Sequence, residues 1–384
     1  MKRIISFILA LTSALFICTV NVKADGPELL APSAILIEAT TGQVIYEKNP
    51  DQVLRPASIT KIMTLILIYD ALESGQISLT DEVTVSEYAA SMGGSQVFLE
   101  AGEKQTVETM IKCIAIASAN DACVAMAEHI WGSEDVFVQK MNERAQGLGM
   151  SNTHFVNCCG LDADSHVTTA RDVSYMSREL IIRYPQIHSY STIWMDTITH
   201  VTRRGSSEFT LTNTNKLIKQ YEWATGLKTG STSLAGFCLS ASANKNGVQL
   251  ISVVMASPSG KTRVSDSIAL LNYGYGICSL YKDDDMPELA PVQVIRGTSE
   301  TVPCRYTSEF THLFLDNYDM SLIEKTTEYL ENITAPINEG DPVGQLTYRY
   351  NGEIIGTVDI VATQGVDRST FVDHLKMLWL QYLT

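Results

Sequence analysis

The sequence has little positive charge. Its 384 residues include 28 Lys and Arg against 43 Asp and Glu, which gives a formal net charge of −15 at pH 7. Without the first 24 residues, which carry Lys2, Arg3 and Lys23 and no acidic residue, the formal net charge is −18. An excess of negative charge repels phosphate backbones, so the composition excludes nucleic acid as a general partner and favours an extracytoplasmic setting.

Cysteine is also sparse, and no pair of cysteines has the Cys-x-x-Cys spacing of a metal or redox motif. One of the eight, Cys18, lies in the N-terminal apolar run; the other seven are Cys113, Cys123, Cys158, Cys159, Cys238, Cys278 and Cys304. An odd number at irregular spacing indicates no disulfide framework, and a bridge between adjacent cysteines would be strained. We therefore expect buried or idle thiols, no metal site and no cofactor.

Long apolar runs are absent after the first 24 residues. Residues 1–24 have the pattern of a secretory signal peptide, with Lys2 and Arg3, an apolar run, and small residues at the cleavage spacing in Val22-Lys23-Ala24. An uncleaved anchor is the alternative for this segment. No later run reaches the length of about 18 apolar residues that a membrane-spanning helix needs.

Two further catalytic patterns are missing. Neither a His-x-x-x-His nor a Gly-x-Ser-x-Gly motif accompanies His154 or His166, so the sequence indicates neither a zinc hydrolase nor a nucleophile-elbow triad. We expect both histidines to be loop or surface residues.

What the sequence does contain is a lysine inside an apolar helix. The stretch from Ile59 to Leu72 is apolar almost all the way round, which is typical of a helix buried in a core. Pro56 and Ser58 suit its start, and Gly75 suits the position just past its end. Lys61 then lies one turn from Ser58 on the same face. Because desolvation favours the neutral form of a lysine, a neutral Lys61 amine could take the proton of Ser58.

Hydrophobic patterns divide the chain into two folded regions. The first has a predicted hairpin at 33–48, helices between 106 and 149 and at 170–183, strands near 207–215, 235–243 and 248–256, and a helix at 262–273. The acidic, proline-containing segment 282–291 reads as a linker, and strands with a turn at Asn351-Gly352 follow it. The predicted domains are a signal peptide at 1–24, a larger domain at 25–282, a β-rich domain at 283–365 and an amphipathic tail at 366–384.

Three short motifs occur in an order that is more specific than any one of them. Ser-x-x-Lys appears at Ser58-Lys61, but also at Ser242-Lys245 and Ser279-Lys282, so spacing alone does not identify it. Ser118-x-Asn120 lies in a loop between predicted helices, and Lys228-Thr229-Gly230 precedes a predicted strand.

This set resembles the penicillin-recognising serine acyltransferases, and within them the low-molecular-mass penicillin-binding proteins, the D-alanyl-D-alanine carboxypeptidases. The stretches "ASITKIMT", "SMGGSQVFLEAGE", "IASANDACVAMAEHIWG", "GLDADSH" and "GLKTGSTSLAGFC" are similar to that family in the same order. The resemblance implies an α+β fold of the β-lactamase/transpeptidase type, with an antiparallel sheet flanked by helices at 25–282 and a small C-terminal β domain.

The resemblance also implies roles for particular residues. Ser58 would attack the penultimate D-alanine of a peptidoglycan stem peptide, Lys61 would accept its proton, and Ser118 would relay a proton to the leaving amine. The implied substrate-binding residues are Asn120, Lys228, Thr229, Gly230, Ser231, Thr232 and Arg263. The backbone amides of Ser58 and Ser231 would form the oxyanion hole.

The expected partners are stem peptides ending in D-Ala-D-Ala, and β-lactams as covalent inhibitors. By analogy with the family, the tail would hold an exported protein on the outer face of the cytoplasmic membrane, although the tail has no basic face of its own. The competing functions are a serine β-lactamase, a transpeptidase or endopeptidase that shares the acyl-enzyme, and a non-catalytic wall-binding protein.

Overall fold

The computed structural model describes residues 26–315 and 318–373. The predicted signal peptide at 1–24 lies outside the described residues, and so does the part of the predicted tail that follows Asp373. Within those two ranges, no helix combines the length and the apolar character needed to cross a membrane.

Seventeen strands form in the described residues, six of them in the first 212 positions. They are β1 Ser33–Glu38, β2 Val44–Lys48, β3 Glu82–Thr84, β4 Lys104–Thr106, β5 Met195–Thr202, β6 Gly205–Thr212, β7 Ala224–Thr232, β8 Gly236–Lys245, β9 Val248–Ser257, β10 Cys278–Lys282, β11 Val292–Gln293, β12 Thr301–Val302, β13 Cys304–Tyr306, β14 Thr311–Leu315, β15 Ile323–Tyr329, β16 Pro342–Tyr350 and β17 Glu353–Ala362.

Among the described residues, 371–373 are helical, and nine α-helices lie before Cys278. They are α1 Lys61–Glu73, α2 Glu87–Ala90, α3 Val107–Lys112, α4 Asn120–Trp131, α5 Glu134–Gly147, α6 Ala170–Arg183, α7 His188–Ser191, α8 Leu217–Gln220 and α9 Gly260–Ile277. Short 3₁₀ turns form at Ala57–Thr60, Pro185–Ile187 and Met320–Leu322, and a π-helical turn forms at Cys113–Ala117.

An antiparallel five-stranded sheet organises the first region, in the order β2-β1-β9-β8-β7. Alternate residues of a strand face opposite sides of a sheet, so Ile35 and Ile37 of β1 pack in the core that contains α1, while Ala34 and Leu36 pack in the core that contains α9. Helices therefore cover both faces, which is why β1 is buried at every position. The predicted α+β class with a helix-flanked antiparallel sheet is confirmed.

Most predicted elements of this region are confirmed. The 33–48 hairpin forms, helix α6 has the predicted bounds of 170–183, and the three helices between 106 and 149 form with the Ser133 hydroxyl accepting from the Val136 amide at the start of α5. Two features were not predicted. Strand β5 pairs along its length with β6, and Lys228-Thr229-Gly230, which precedes the predicted strand β8, itself lies within strand β7.

The C-terminal region is built on a four-stranded antiparallel sheet in the order β13-β17-β16-β15. Its β16–β17 hairpin turns at Asn351 and Gly352, whose φ angles of 51° and 82° suit the predicted two-residue turn. Strand β10, which the sequence assigned to the larger domain, pairs with β14 of the C-terminal region.

The segment predicted as a linker is irregular, but its second residue, Asp283, is anchored. The Asp283 carboxylate accepts hydrogen bonds from the Tyr348 hydroxyl at 2.7 Å and from Lys325 Nζ at 2.6 Å. Asp283 is buried, so these two donors replace the water that its charge would otherwise need. The linker therefore packs against the sheet that follows it.

Replacing this anchor should destabilise the C-terminal region. We expect Asp283→Ala to lower the free energy of unfolding by about 2 kcal/mol, because it leaves the Tyr348 hydroxyl and Lys325 without their shared acceptor. Urea unfolding followed by near-ultraviolet circular dichroism measures the change. The neighbouring exposed Asp284 provides the matched control, and Asp284→Ala should change stability by less than about 0.5 kcal/mol. Equal stability of the two variants would contradict the assignment.

Candidate active site

The predicted pair Ser58 and Lys61 meets at the start of α1. Ser58 lies in the 3₁₀ turn and Lys61 is the first residue of the helix, with its side chain fully buried. Lys61 Nζ lies 2.9 Å from Ser58 Oγ. It also lies 2.6 Å from Asn120 Oδ1 and 2.8 Å from the Cys159 carbonyl oxygen. An ammonium has three N–H donors, so these three neutral acceptors match its full capacity.

Asn120 and Ser118 reach the site because a helix is interrupted between them. The π-helical turn Cys113–Ala117 ends at Ser118, which takes a left-handed conformation with φ 63°, and α4 begins two residues later at Asn120. Asn120 Nδ2 donates to the Gly93 carbonyl at 2.7 Å, which fixes the amide orientation that presents Oδ1 to Lys61. The interruption thus directs Asn120 to Lys61 and Ser118 to Lys228.

Strand β7 contributes the third motif from the edge of the sheet. Lys228 Nζ donates to Ser118 Oγ at 2.9 Å and to the Thr229 carbonyl at 3.1 Å. Burial, and then the nearby charge of Lys61, hold the pKa of Lys228 well below its ordinary value. The Thr229 hydroxyl shares a 2.7 Å hydrogen bond with that of Thr214.

Two glycines allow the backbones around Ser58 to approach closely. A Cβ on Gly230 would lie 2.7 Å from the Pro56 carbonyl oxygen and 2.9 Å from the Ser58 amide nitrogen. A Cβ on Gly160 would lie 1.8 Å from the Ala57 carbonyl oxygen, and Gly160 has φ +87°. Neither position accepts a side chain, so the turn that carries Ser58 is held between strand β7 and the 157–161 loop.

A groove of about 630 Å³ opens beside the end of β7 and is lined by residues 231–237 and 256–258. Ser231 is exposed there. The Thr232 hydroxyl donates to Asp162 Oδ1 at 2.9 Å and accepts from the Ala235 amide at 3.0 Å. The groove gives an elongated substrate access to the end of the strand next to Ser58.

The Arg263 side chain contacts the backbone of the same strand. Its Nη1 donates to the Gly230 carbonyl at 3.0 Å and to the Cys238 carbonyl at 3.2 Å, and its Nε is buried without a hydrogen-bond partner. Burial lowers the pKa of the guanidinium from its ordinary value. Arg263 therefore braces β7 against β8, and its free Nε leaves one donor for another acceptor.

The sequence did not reveal several groups that complete the site. The Cys159 carbonyl gave no signal because every residue has one, and Thr214 and Asp162 gave none because their partners are distant in sequence. Gly160 could have been suspected, since a glycine in a polar loop is compatible with positive φ.

Both histidines are loop or surface residues, as expected, although one of them is buried. His154 is exposed, and His166 lies in a loop but is buried. His166 Nε2 is 2.8 Å from the Thr60 hydroxyl, and its Nδ1 accepts from the Val156 amide, so the ring is held as a neutral tautomer. Burial lowers the pKa of His166 to about 4. It supports the turn that carries Ser58.

Known proteins share both regions of the chain. The sequence pattern of the D-alanyl-D-alanine carboxypeptidase family matches residues 20–259, and that of the penicillin-binding protein 5 C-terminal domain matches residues 278–368. The chain is 40% identical to D-alanyl-D-alanine carboxypeptidase DacF of Bacillus subtilis, over 98% of this chain and 97% of that one. It is 31% identical to DacA of Escherichia coli, over 97% and 96% of the two chains.

A solved structure has the same architecture. Penicillin-binding protein 5 of Haemophilus influenzae superposes with a TM-score of 0.75 at 29% identity, over 89% of this chain and 99% of that one.

The close approach at Gly230 gives a specific test. Gly230→Ala should reduce the rate of acylation by a fluorescent penicillin by about a hundredfold, because the new methyl group displaces the Ser58 turn and a small misplacement costs that much. Stopped-flow fluorescence measures the rate. Gly276 in α9 has no atom within 4 Å of its Cβ position, so Gly276→Ala should leave the rate unchanged. A wild-type rate in Gly230→Ala would show that the strand tolerates the extra methyl group.

Proposed function

The chain belongs to the D-alanyl-D-alanine carboxypeptidase family, and we propose that Ser58 is its nucleophile and Lys61 the base that accepts the Ser58 proton. An enzyme of this family removes the terminal D-alanine from peptidoglycan stem peptides through an acyl-enzyme and is acylated by β-lactams. The observation that carries the proposal is the 2.9 Å contact between Lys61 Nζ and Ser58 Oγ in a buried site.

The partners of Lys61 are compatible with a neutral amine aimed at Ser58. A neutral amine has two N–H donors and one lone pair. Asn120 Oδ1 and the Cys159 carbonyl can only accept hydrogen bonds, so they engage the two donors. The lone pair is then left for the Ser58 hydroxyl, which is the orientation that proton abstraction requires.

Ser118 and Lys228 would serve the leaving group. The Ser58 oxygen attacks the carbonyl carbon of the penultimate D-alanine, and the departing amine of the last D-alanine needs a proton. Ser118 Oγ accepts from Lys228 Nζ. A hydroxyl held by a lysine can pass its own proton forward and take one back, so Ser118 is proposed as the relay.

Strand β7 would bind the peptide and the developing oxyanion. The Ser58 amide lies against Gly230, so the next amide along the strand, that of Ser231, is the proposed second donor of the oxyanion hole. Lys228, Thr229 and Thr232 are proposed to bind the terminal carboxylate of the substrate. Arg263 is proposed to assist by holding the Gly230 carbonyl from the side of α9.

The protein is a cell-wall enzyme that acts outside the cytoplasm. We propose that residues 1–24 direct export and that the tail at 366–384 holds the protein to the outer face of the membrane. The pairing of β10 with β14 favours a division between the catalytic and C-terminal domains close to Cys278, a few residues before the linker.

The test uses a second Ser-x-x-Lys match of the same chain as its control. Ser58→Ala should abolish both the covalent adduct with a fluorescent penicillin and the release of D-alanine from diacetyl-Lys-D-Ala-D-Ala. Ser279→Ala, which removes the serine of the motif on β10, should retain both activities. Mass spectrometry of the adduct and a D-alanine assay report the results.

The same experiment separates the competing functions. A labelled Ser58→Ala variant would assign the nucleophile elsewhere, and a wild-type chain without adduct or product would indicate a wall-binding protein. A transpeptidase would transfer the acyl group to an added amine in preference to water, and a β-lactamase would release hydrolysed penicillin rapidly instead of keeping the adduct.

A further inference from the structure

Two thiols and one carboxylate converge beneath the catalytic lysine. Cys158 Sγ and Cys159 Sγ lie 3.6 Å apart, and neither cysteine is in a disulfide. One carboxylate oxygen of Glu134 joins them, so that the three ligand atoms all lie within 4.8 Å of one another. Both thiols are buried, and Glu134 is half-buried. The sequence predicted no metal site because the cysteine spacing is unusual, and the fold supplies the third group from helix α5.

The spacing of these atoms fits a tetrahedral metal ion. Two thiolates bound to one Zn²⁺ at about 2.3 Å each lie roughly 3.8 Å apart. The observed 3.6 Å separation of the two sulfur atoms needs an adjustment of only a few tenths of an ångström. A disulfide would instead need the two sulfurs to approach to about 2.05 Å within one dipeptide. The geometry thus favours a bridging ion over a sulfur–sulfur bond.

Glu134 is positioned independently of any ion. It is the first residue of α5, which follows the Ser133 cap. One of its oxygens accepts from the Cys158 amide at 3.0 Å, and the other accepts from the Tyr88 hydroxyl at 2.8 Å. Tyr88 is exposed, so the carboxylate connects the buried thiols to the surface and marks a route by which an ion could enter.

A third thiol lies next to the set. Cys123 of α4 is buried, and burial raises the pKa of its thiol well above the ordinary value. Thiolate-rich, largely dry sites select soft or borderline ions over Mg²⁺ and Ca²⁺, which prefer oxygen ligands.

We propose that Glu134, Cys158 and Cys159 bind one thiophilic divalent cation of the Zn²⁺ class. The two thiols would lose their protons to solvent as the ion binds, so that two thiolates and one carboxylate surround it. A fourth position remains for water.

Such an ion would stiffen the loop that holds the catalytic base. The Cys159 carbonyl accepts from Lys61, and the Cys158 carbonyl accepts from the Thr64 hydroxyl at 2.6 Å. These two carbonyls belong to Cys158 and Cys159, which are the proposed metal ligands. Binding to the folded chain therefore stabilises it and ties the position of Lys61 to metal occupancy.

Cadmium provides a direct probe. The full-length chain, reduced and freed of metal, is titrated with Cd²⁺ while the ultraviolet thiolate-to-cadmium charge-transfer band is recorded. We expect one ion per chain. Cys158→Ser and Cys159→Ser should each weaken binding by at least about tenfold, a loss that even outer-shell partners can cause. Cys304→Ser, which changes a cysteine of the C-terminal domain, should bind as the wild type does, and so should Ser58→Ala.

A measurement on the unaltered chain covers the case in which a cysteine variant fails to fold. Native mass spectrometry of the wild type with Zn²⁺ should show one added ion that a chelator removes, and the thermal midpoint should rise with Zn²⁺ but not with Mg²⁺. Absence of a bound ion in the wild type overturns the proposal. Undiminished binding in the folded Cys158→Ser and Cys159→Ser variants overturns it equally.

Discussion

The hydrogen bonding of the Lys61 side chain is the constraint on which the site depends. A buried amine has to be fully satisfied, and Lys61 is satisfied by a hydroxyl, an amide oxygen and a backbone carbonyl, with no carboxylate among these three. An ion pair with a carboxylate would hold the proton on Lys61, whereas neutral acceptors leave that proton free to exchange. The three acceptors come from the 3₁₀ turn before α1, from α4 and from the 157–161 loop. The Lys61 side chain is therefore held in position only when these elements are packed together.

The second lysine has a different electrostatic role. Lys228 reaches Ser118 from strand β7, and its burial near Lys61 makes a second full charge in the same pocket unfavourable. A bound substrate carboxylate would relieve that cost because it brings an opposite charge. The site therefore favours an anionic peptide end, which is consistent with a carboxypeptidase that needs a free C-terminus.

Local patterns predicted the elements that are set by neighbours in sequence. The apolar helix after Ser58, helix α6 and the turn at Asn351-Gly352 form where the sequence indicated them, because capping, periodicity and turn chemistry act over a few residues. The contacts made between distant segments were not predictable in this way. Three such contacts join positions at least 24 residues apart. They are the hydrogen bond from Lys61 to the Cys159 carbonyl, the hydrogen bond from Arg263 to the Gly230 carbonyl, and the contact of Glu134 with Cys158. Motif order indicated that Ser58, Ser118 and Lys228 belong together, but only packing shows how Gly230 and Gly160 make room for the turn that carries Ser58.

The central claim is that Lys61 acts as a base and does not merely supply positive charge. The most direct measurement is the second-order rate of penicillin acylation for Lys61→Arg, with folding checked by circular dichroism. Arginine keeps the charge but cannot deprotonate, so the rate should fall by about a thousandfold, within the range by which general bases accelerate reactions. A Lys61→Arg rate within about tenfold of the wild type would contradict the account, because charge alone would then be sufficient.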